Sequence, residues 1–203
     1  MRSLLTVLGM SIGIGAILAV LTLGTAGRNQ VRAEMTRLGI DRVWLTAACQ
    51  EEPLMRGDGA LLEQELRVSA AEQLTLPVKI AAGEKESETA LVGCDPACLQ
   101  MAGAVVTEGK MLPAQEWRQG GGGILLGETL AAELKSGPGD LVTAGGMLLR
   151  CAGVLRLEDR ASGLDWNRAA FVPLETLADS MGSRLSQITL LTGEALQPTE
   201  LAL

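Results

Sequence analysis

From residue 3 to residue 27 the chain reads SLLTVLGMSIGIGAILAVLTLGTAG, with Arg2 before it, Arg28 after it and no charged side chain between them. A bilayer core about 30 Å thick takes roughly 20 helical residues, so this run predicts a transmembrane helix over 3–27. A secretion signal has a shorter apolar core, of about 7 to 15 residues, and a small-residue cleavage site, which TLGTAG matches poorly. After Arg28 the pattern becomes amphipathic. Val31, Met35 and Leu38 recur at four and three residues while Arg32, Glu34 and Arg37 take the other faces, which predicts a helical stalk over 28–40. Gly39 fits the C-terminus of that stalk.

The remaining pattern alternates short strands with short helices. DRVWLTAA, from Asp41, reads as a strand with Val43 and Leu45 on one face. Residues 57–75 read as a helix through Leu61, Leu62, Leu66 and Leu74, weakened in the middle by Val68 and Ser69. LPVKIAA and TALVGC form a hairpin around the polar turn GEKESE, and Asp95 then caps a short helix with Pro96 at its first position. Further on come a strand at Ile124–Leu126, a helix over Glu128–Lys135 and a hairpin turning at Gly145 and Gly146. A helix opened by Pro173 and a final strand in LSQITLLT complete the series. The predicted class is α+β. The core domain, 41–203, is expected as a βαββαβ lobe closed by the last strand, with a small β-rich lobe, 103–165, inserted in it.

Composition narrows the chemistry. Beyond the first 27 residues about 175 remain, enough for one domain or two small lobes with a real core. The 203 residues include no histidine, which excludes Ser-His-Asp and Cys-His catalysis, His-ligated zinc and histidine proton relays within this chain. Paired carboxylates and a Ser-Lys pair remain, without a local motif for either, so the acids read as a solvated surface and no catalytic residue is assigned. A net charge of −7, from 17 basic and 24 acidic residues, argues against nucleic acid as a partner. Three Trp, one Phe and no Tyr leave neither a stacking platform for single strands nor the aromatic girdles of an outer-membrane barrel.

Two glycine motifs imitate nucleotide sites. Glycines 120–123 precede a predicted strand, whereas a dinucleotide loop follows one, so they read as a surface loop. GAVVTEGKM, from Gly103, has five residues between its glycines instead of four, and Met111 where a phosphate loop needs Ser or Thr. No cofactor is expected, and any ATP would be bound by another chain.

The cysteines are Cys49, Cys94, Cys98 and Cys151. CDPAC lacks the two-residue spacer of a zinc knuckle, and no histidine completes a shell, so no metal site is expected. Cys94 just before a helix and Cys98 in its first turn are candidates for a disulfide if the domain lies outside the membrane; buried free thiols are the alternative. Gly9 and Gly13, in GMSIG, give the apolar helix a small-residue face for close packing of another helix, although glycine is also simply common in membrane helices.

Three segments together resemble a known family. RSLLTVLGMSIGIGAILAVLTLGTAGRNQVRAEMTRLGIDRVWL resembles the first transmembrane helix and stalk of MacB-like, FtsX-type ABC transporter permeases. ALVGCDPACLQMAGAVVTEGKML is similar to that family's strand, short helix and turn, with Gly103, Glu108, Gly109 and Lys110 in place, and ILLGETLAAELKSGPGDLVTAGGMLLRCAGVL resembles its following strand, helix start and hairpin. The resemblance implies a MacB-like periplasmic core domain held outside the cell membrane and carrying conformational change rather than chemistry. It also implies three further membrane helices beyond a core of this kind, which makes the chain the core-domain half of a permease. The implied partners are a cytoplasmic ABC ATPase, a second permease copy and the lipid bilayer. Arg28, Arg32, Arg37 and Arg42 follow the apolar helix and only Arg2 precedes it, so charge alone would place the domain in the cytoplasm. The rival to a permease subunit is a self-contained, membrane-anchored binding or adaptor module.

Overall fold

The computed structural model describes residues 10, 12–22, 42–47, 53–157, 164–181 and 184–191. The chain divides into two compact units, 1–38 and 39–203. In the first, residues 12–22 are helical (α1) and expose Ile12, Ile14, Ile17, Leu18, Val20 and Leu21. Among the described residues no helix is long and apolar enough to cross a membrane. The rest of the expected 3–27 span, apart from Met10, lies outside the described residues, as does the 28–40 stalk with Val31, Met35 and Leu38.

The second unit opens with β1 (Arg42–Leu45) and α2 (Asp58–Leu66). The α2 N-terminus has no side-chain cap of its own; instead Glu72 Oε1 accepts the N–H groups of Gly57 and Gly59 at 2.8 and 3.0 Å. The helix ends at Arg67, whose φ of 53° is left-handed. Here the expected helix over 57–75 is corrected: Ser69 onward is β2 (Ser69–Ala82). The weak point at Val68–Ser69 is where the break occurs, and the residues beyond it find partners on two other strands, a tertiary gain that overrides modest helix propensity.

In the hairpin of β2 with β3 (Lys85–Cys94), Ala82 pairs with Lys85, so the turn is only Gly83 and Glu84. Gly83 has φ 59°, a conformation suited to the first position of a two-residue hairpin loop. Most of the expected polar turn is therefore strand. Asp95 caps α3 (Pro96–Met101) as expected, its Oδ1 accepting the Cys98 N–H at 2.8 Å. There follow β4 (Val105–Gly109), α4 (Ala114–Gln119), β5 (Gly123–Gly127), α5 (Glu128–Leu134), β6 (Leu141–Ala144) and β7 (Met147–Arg156). A 3₁₀ turn (Trp166–Arg168), β8 (Ala170–Pro173), α6 (Leu174–Met181) and β9 (Gln187–Leu191) end the unit. Pro173 closes β8 rather than opening α6. Gly123, expected in a surface loop, is the buried first residue of β5.

The strands run β1-β9-β2-β3-β8-β5-β7-β4, and β6 pairs with both β2 and β7. The last strand thus closes the first sheet, between β1 and β2, and the chain order β1-α2-β2-β3-α3…β9 is the βαββαβ series. Block 103–165, however, is not set apart from it. β8 bridges β3 to β5, and β6 reaches β2 through Ile80–Ala144 and Ala81–Thr143, so β2-β3-β8-β5-β7-β6 is a ring of ladders. No sequence pattern announces a ring, because its closing pairs join residues about sixty positions apart.

Side-chain alternation sorts the core onto the ring's two faces. One cluster takes residues from all six ring strands, among them Ile80, Leu91, Ile124, Val142, Val154 and Val172, with Leu130 and Leu134 of α5 and Leu177 of α6; this is the inner face. The other gathers Val92, Leu125, Leu155 and Phe171 with Cys98 and Leu99 of α3 and the 3₁₀ residue Trp166. A bulge where β7 meets β5 shifts the alternation, so that both Cys151 and Val154 point inward. Pro77 sits in β2 at a stretch paired with β3 on one side and with neither β9 nor β6 on the other, the kind of edge position where a residue lacking N–H is tolerated.

Candidate functional site

The two ends of the described domain meet. Arg42, the first residue of β1, is the Cα partner of Leu191, the last of β9, and the antiparallel ladder continues through Val43–Leu190 and Trp44–Thr189 to Leu45–Ile188. Leu191 is also opposite Ser69, so the point where the chain enters the domain, the point where it leaves, and the start of β2 share one end of one sheet. All four β1 residues are half-buried. The alternation of Val43 and Leu45 and the closing last strand were legible in sequence; the pairing of that strand with β1, some 145 residues away, and its register were not.

On the other side of β2 lies an open groove of about 800 Å³, lined in part by Arg56, Glu63, Glu72, Asp95 and Gln100. Three carboxylates there invite a cation, but the backbone occupies them. Glu72 holds Gly57 and Gly59, Glu63 Oε1 accepts the Ala70 N–H at 2.8 Å, and Asp95 accepts the N–H groups of Cys98 and Glu72. Burial raises the Asp95 pKa above the ordinary 3.8, against the lowering effect of its two N–H donors, with smaller contributions from Glu72 and Glu63. Arg56 is paired with Glu175 of α6 by both terminal guanidinium nitrogens. Among the described residues no group of three or more His, Cys, Asp or Glu is arranged to hold a metal ion.

Cys94, Cys98 and Cys151 are buried free thiols; Cys49 lies outside the described residues. Cys94 and Cys98 meet at the β3–α3 corner on the outer face, and the hydrogen bond that the Cys94 thiol makes to the Cys98 sulfur, followed by burial, raises the Cys94 pKa well above that of an ordinary thiol. Burial pushes Cys151, on the inner face, to about 11. Gly13 lies in α1 with open space where a side chain would be; Gly9 is outside the described residues.

Two close backbone approaches explain the second segment of the resemblance. Gly109, at φ 74°, and Gly153 are opposite each other in the β4–β7 ladder, and a side chain on Gly153 would start 2.6 Å from the Lys110 carbonyl oxygen. Only glycine fits there. A profile of the MacB-like periplasmic core domain matches residues 3–202. The chain belongs to that family. Similar curated proteins include the macrolide export ATP-binding/permease proteins MacB 1/2 of Paracoccus denitrificans, 24% identical over 87% of this chain and 28% of that protein, and MacB of Bradyrhizobium diazoefficiens, 23% identical over 100% and 33%. The chain therefore spans about a third of the length of these relatives.

Among solved structures, the extracellular domain of the transporter YknZ from Gram-positive bacteria aligns with a TM-score of 0.64 at 19% identity, covering 76% of this chain and 84% of that one. The periplasmic region of MacB from Actinobacillus actinomycetemcomitans aligns at 0.63 and 17% identity, over 79% and 78%. At such identity the likeness is one of fold: an α+β domain of the MacB periplasmic type. Sequence reasoning missed the residues that tie this fold together. Gln73 was read as helical, and Asn167, whose side chain bonds both the N–H and the carbonyl of Leu157 at 2.9 Å, carried no motif.

Proposed function

We propose that this chain is the core-domain part of a transporter permease, working with a cytoplasmic ATPase and a second permease copy to couple ATP hydrolysis to export or extraction of a substrate. Family membership and the relatives' identity as macrolide export ATP-binding/permease proteins support the transporter reading. The apolar run 3–27 spans the membrane, residues 28–40 form the stalk, and 41–203 lies on the extracytoplasmic side. Exposed aliphatic side chains around α1 suit a lipid environment.

The observation that carries the mechanical part is the pairing of Arg42 with Leu191. Forces that pull the two ends apart open an antiparallel ladder from its end, one pair at a time, whereas forces that move them together leave it intact. The stalk and the segment after β9 therefore drive the domain as one body. Val31→Pro removes a helix hydrogen bond and clashes with the preceding turn, at roughly 3 kcal/mol, and so kinks the stalk. In the complete permease with its ATPase, ATP hydrolysis should persist while transport collapses, and a Gly-Ser insertion after Arg28 should act alike. Normal transport per ATP in both variants would reduce the helix to a tether, as in the adaptor reading.

A further inference from the structure

The described thiols are not distributed alike. Cys151 is solitary on the inner face, whereas Cys94 and Cys98 converge with Gln73 on the outer one. Gln73 is the Cα partner of Cys94 in the β2–β3 ladder, so the two side chains share a face, and the Cys98 thiol donates to Gln73 Oε1 at 3.8 Å. Cys98 thus reaches over the position occupied by Cys94. Its placement is fixed twice more, by the Asp95 cap on its N–H and by Pro96, which presets the first turn. All three converging residues are at most 4% exposed.

We propose that Cys94 and Cys98 are a modification site: a pair built to close into a disulfide by exchange with a disulfide-carrying oxidant. One thiol, as thiolate, attacks the oxidant and expels one of its sulfurs as a thiol. The second attacks the resulting mixed disulfide and expels the other, so two cysteine S–H bonds are lost, one S–S bond forms and the oxidant leaves as two thiols. Burial and the raised Cys94 pKa make the thiolate scarce in the folded domain, so closure occurs before α3 docks or when it opens. The bond would tie the end of β3 to the first turn of α3 and make the corner independent of the weak S–H donor to Gln73.

The experiment uses the purified full chain in detergent, unfolded and refolded in buffers of oxidised and reduced glutathione, then alkylated and digested with trypsin. Cys94 and Cys98 fall together in the tryptic peptide 86–110, with no other cysteine. Closure leaves that peptide about two mass units lighter and unalkylated, and Cys98→Ser should convert Cys94 to a glutathione adduct. Two alkylated cysteines at every ratio, or a bond from Cys94 to Cys151 or Cys49, overturn the proposal. This test is independent of which side of the membrane the domain occupies. A pair that closes in the refolded chain but is found reduced in isolated membranes would count against the extracytoplasmic placement and leave the pairing standing.

Discussion

The two faces of the ring are built from the same strands and yet solve different problems. The inner face is nearly all aliphatic, with leucines of α5 and α6 filling space between valines and isoleucines. The outer face is specified by particular partners: Trp166 stacked on Phe171 with centroids 5.6 Å apart, Gln73 held between Cys98 and Thr75, and Asn167 bound to both backbone groups of Leu157. An aliphatic face tolerates repacking because its contacts are non-directional, whereas a face of directional contacts fixes where α3 and the 3₁₀ turn must lie. The inner face supplies bulk stability and the outer face supplies position.

The largest expected effect breaks the outer face. Phe171→Ala should destabilise the domain by about 3 to 5 kcal/mol, through the cavity and the lost stack, in denaturant unfolding of the full chain in detergent. Leu177→Ala on the inner face should cost about 2 to 5 kcal/mol and act more simply. That simplicity has its own check at Gly93, where an added Cβ would lie 2.8 Å from Leu177 Cδ1. Gly93→Ala alone should cost about 1 to 3 kcal/mol, and combining it with Leu177→Ala should recover part of the loss. Strictly additive losses would show that the inner face does not repack.

Asn167→Ala comes next, at about 1 to 3 kcal/mol, because two buried backbone groups of Leu157 lose their partner. A smaller effect separates charge from geometry at Asp95. Its folded pKa is raised, so the folded state holds a proton that the unfolded state has released, and its contribution is lost as pH rises from 3.8 through the raised value. Asp95→Asn keeps an acceptor for the Cys98 N–H and should be at least as stable as the parent at pH 7, an advantage that vanishes below the ordinary carboxylate range. An Asn variant that is destabilised at pH 7 but matches the parent in acid would mean that the negative charge itself holds the cap. The smallest effect should be at Lys79–Glu88, 3.4 Å apart and largely exposed, where Glu88→Gln should change stability by less than about 0.5 kcal/mol.

Features written in contiguous residues were legible without coordinates. The Asp95-Pro96 helix start, the strand around 124–126, the helix from Glu128 and the turn at Gly145–Gly146 are all local events, decided by capping, φ preference and alternation within a few positions. So was the family, since its three segments keep their order along the chain. The candidate site was legible only in halves: Val43 and Leu45 marked a strand, and Cys94 and Cys98 marked a corner. Tertiary structure decided the rest. It turned residues 69–75 from helix to strand, because β9 pairs with 69–73 and β3 takes over from 73 onward. It also placed β8 between β3 and β5, joined block 103–165 to the first sheet, and set Leu191 beside Arg42. Pairings over such separations carry no local signature, because what selects them is burial of both faces of a shared sheet, a property that no single segment possesses until the others are in place.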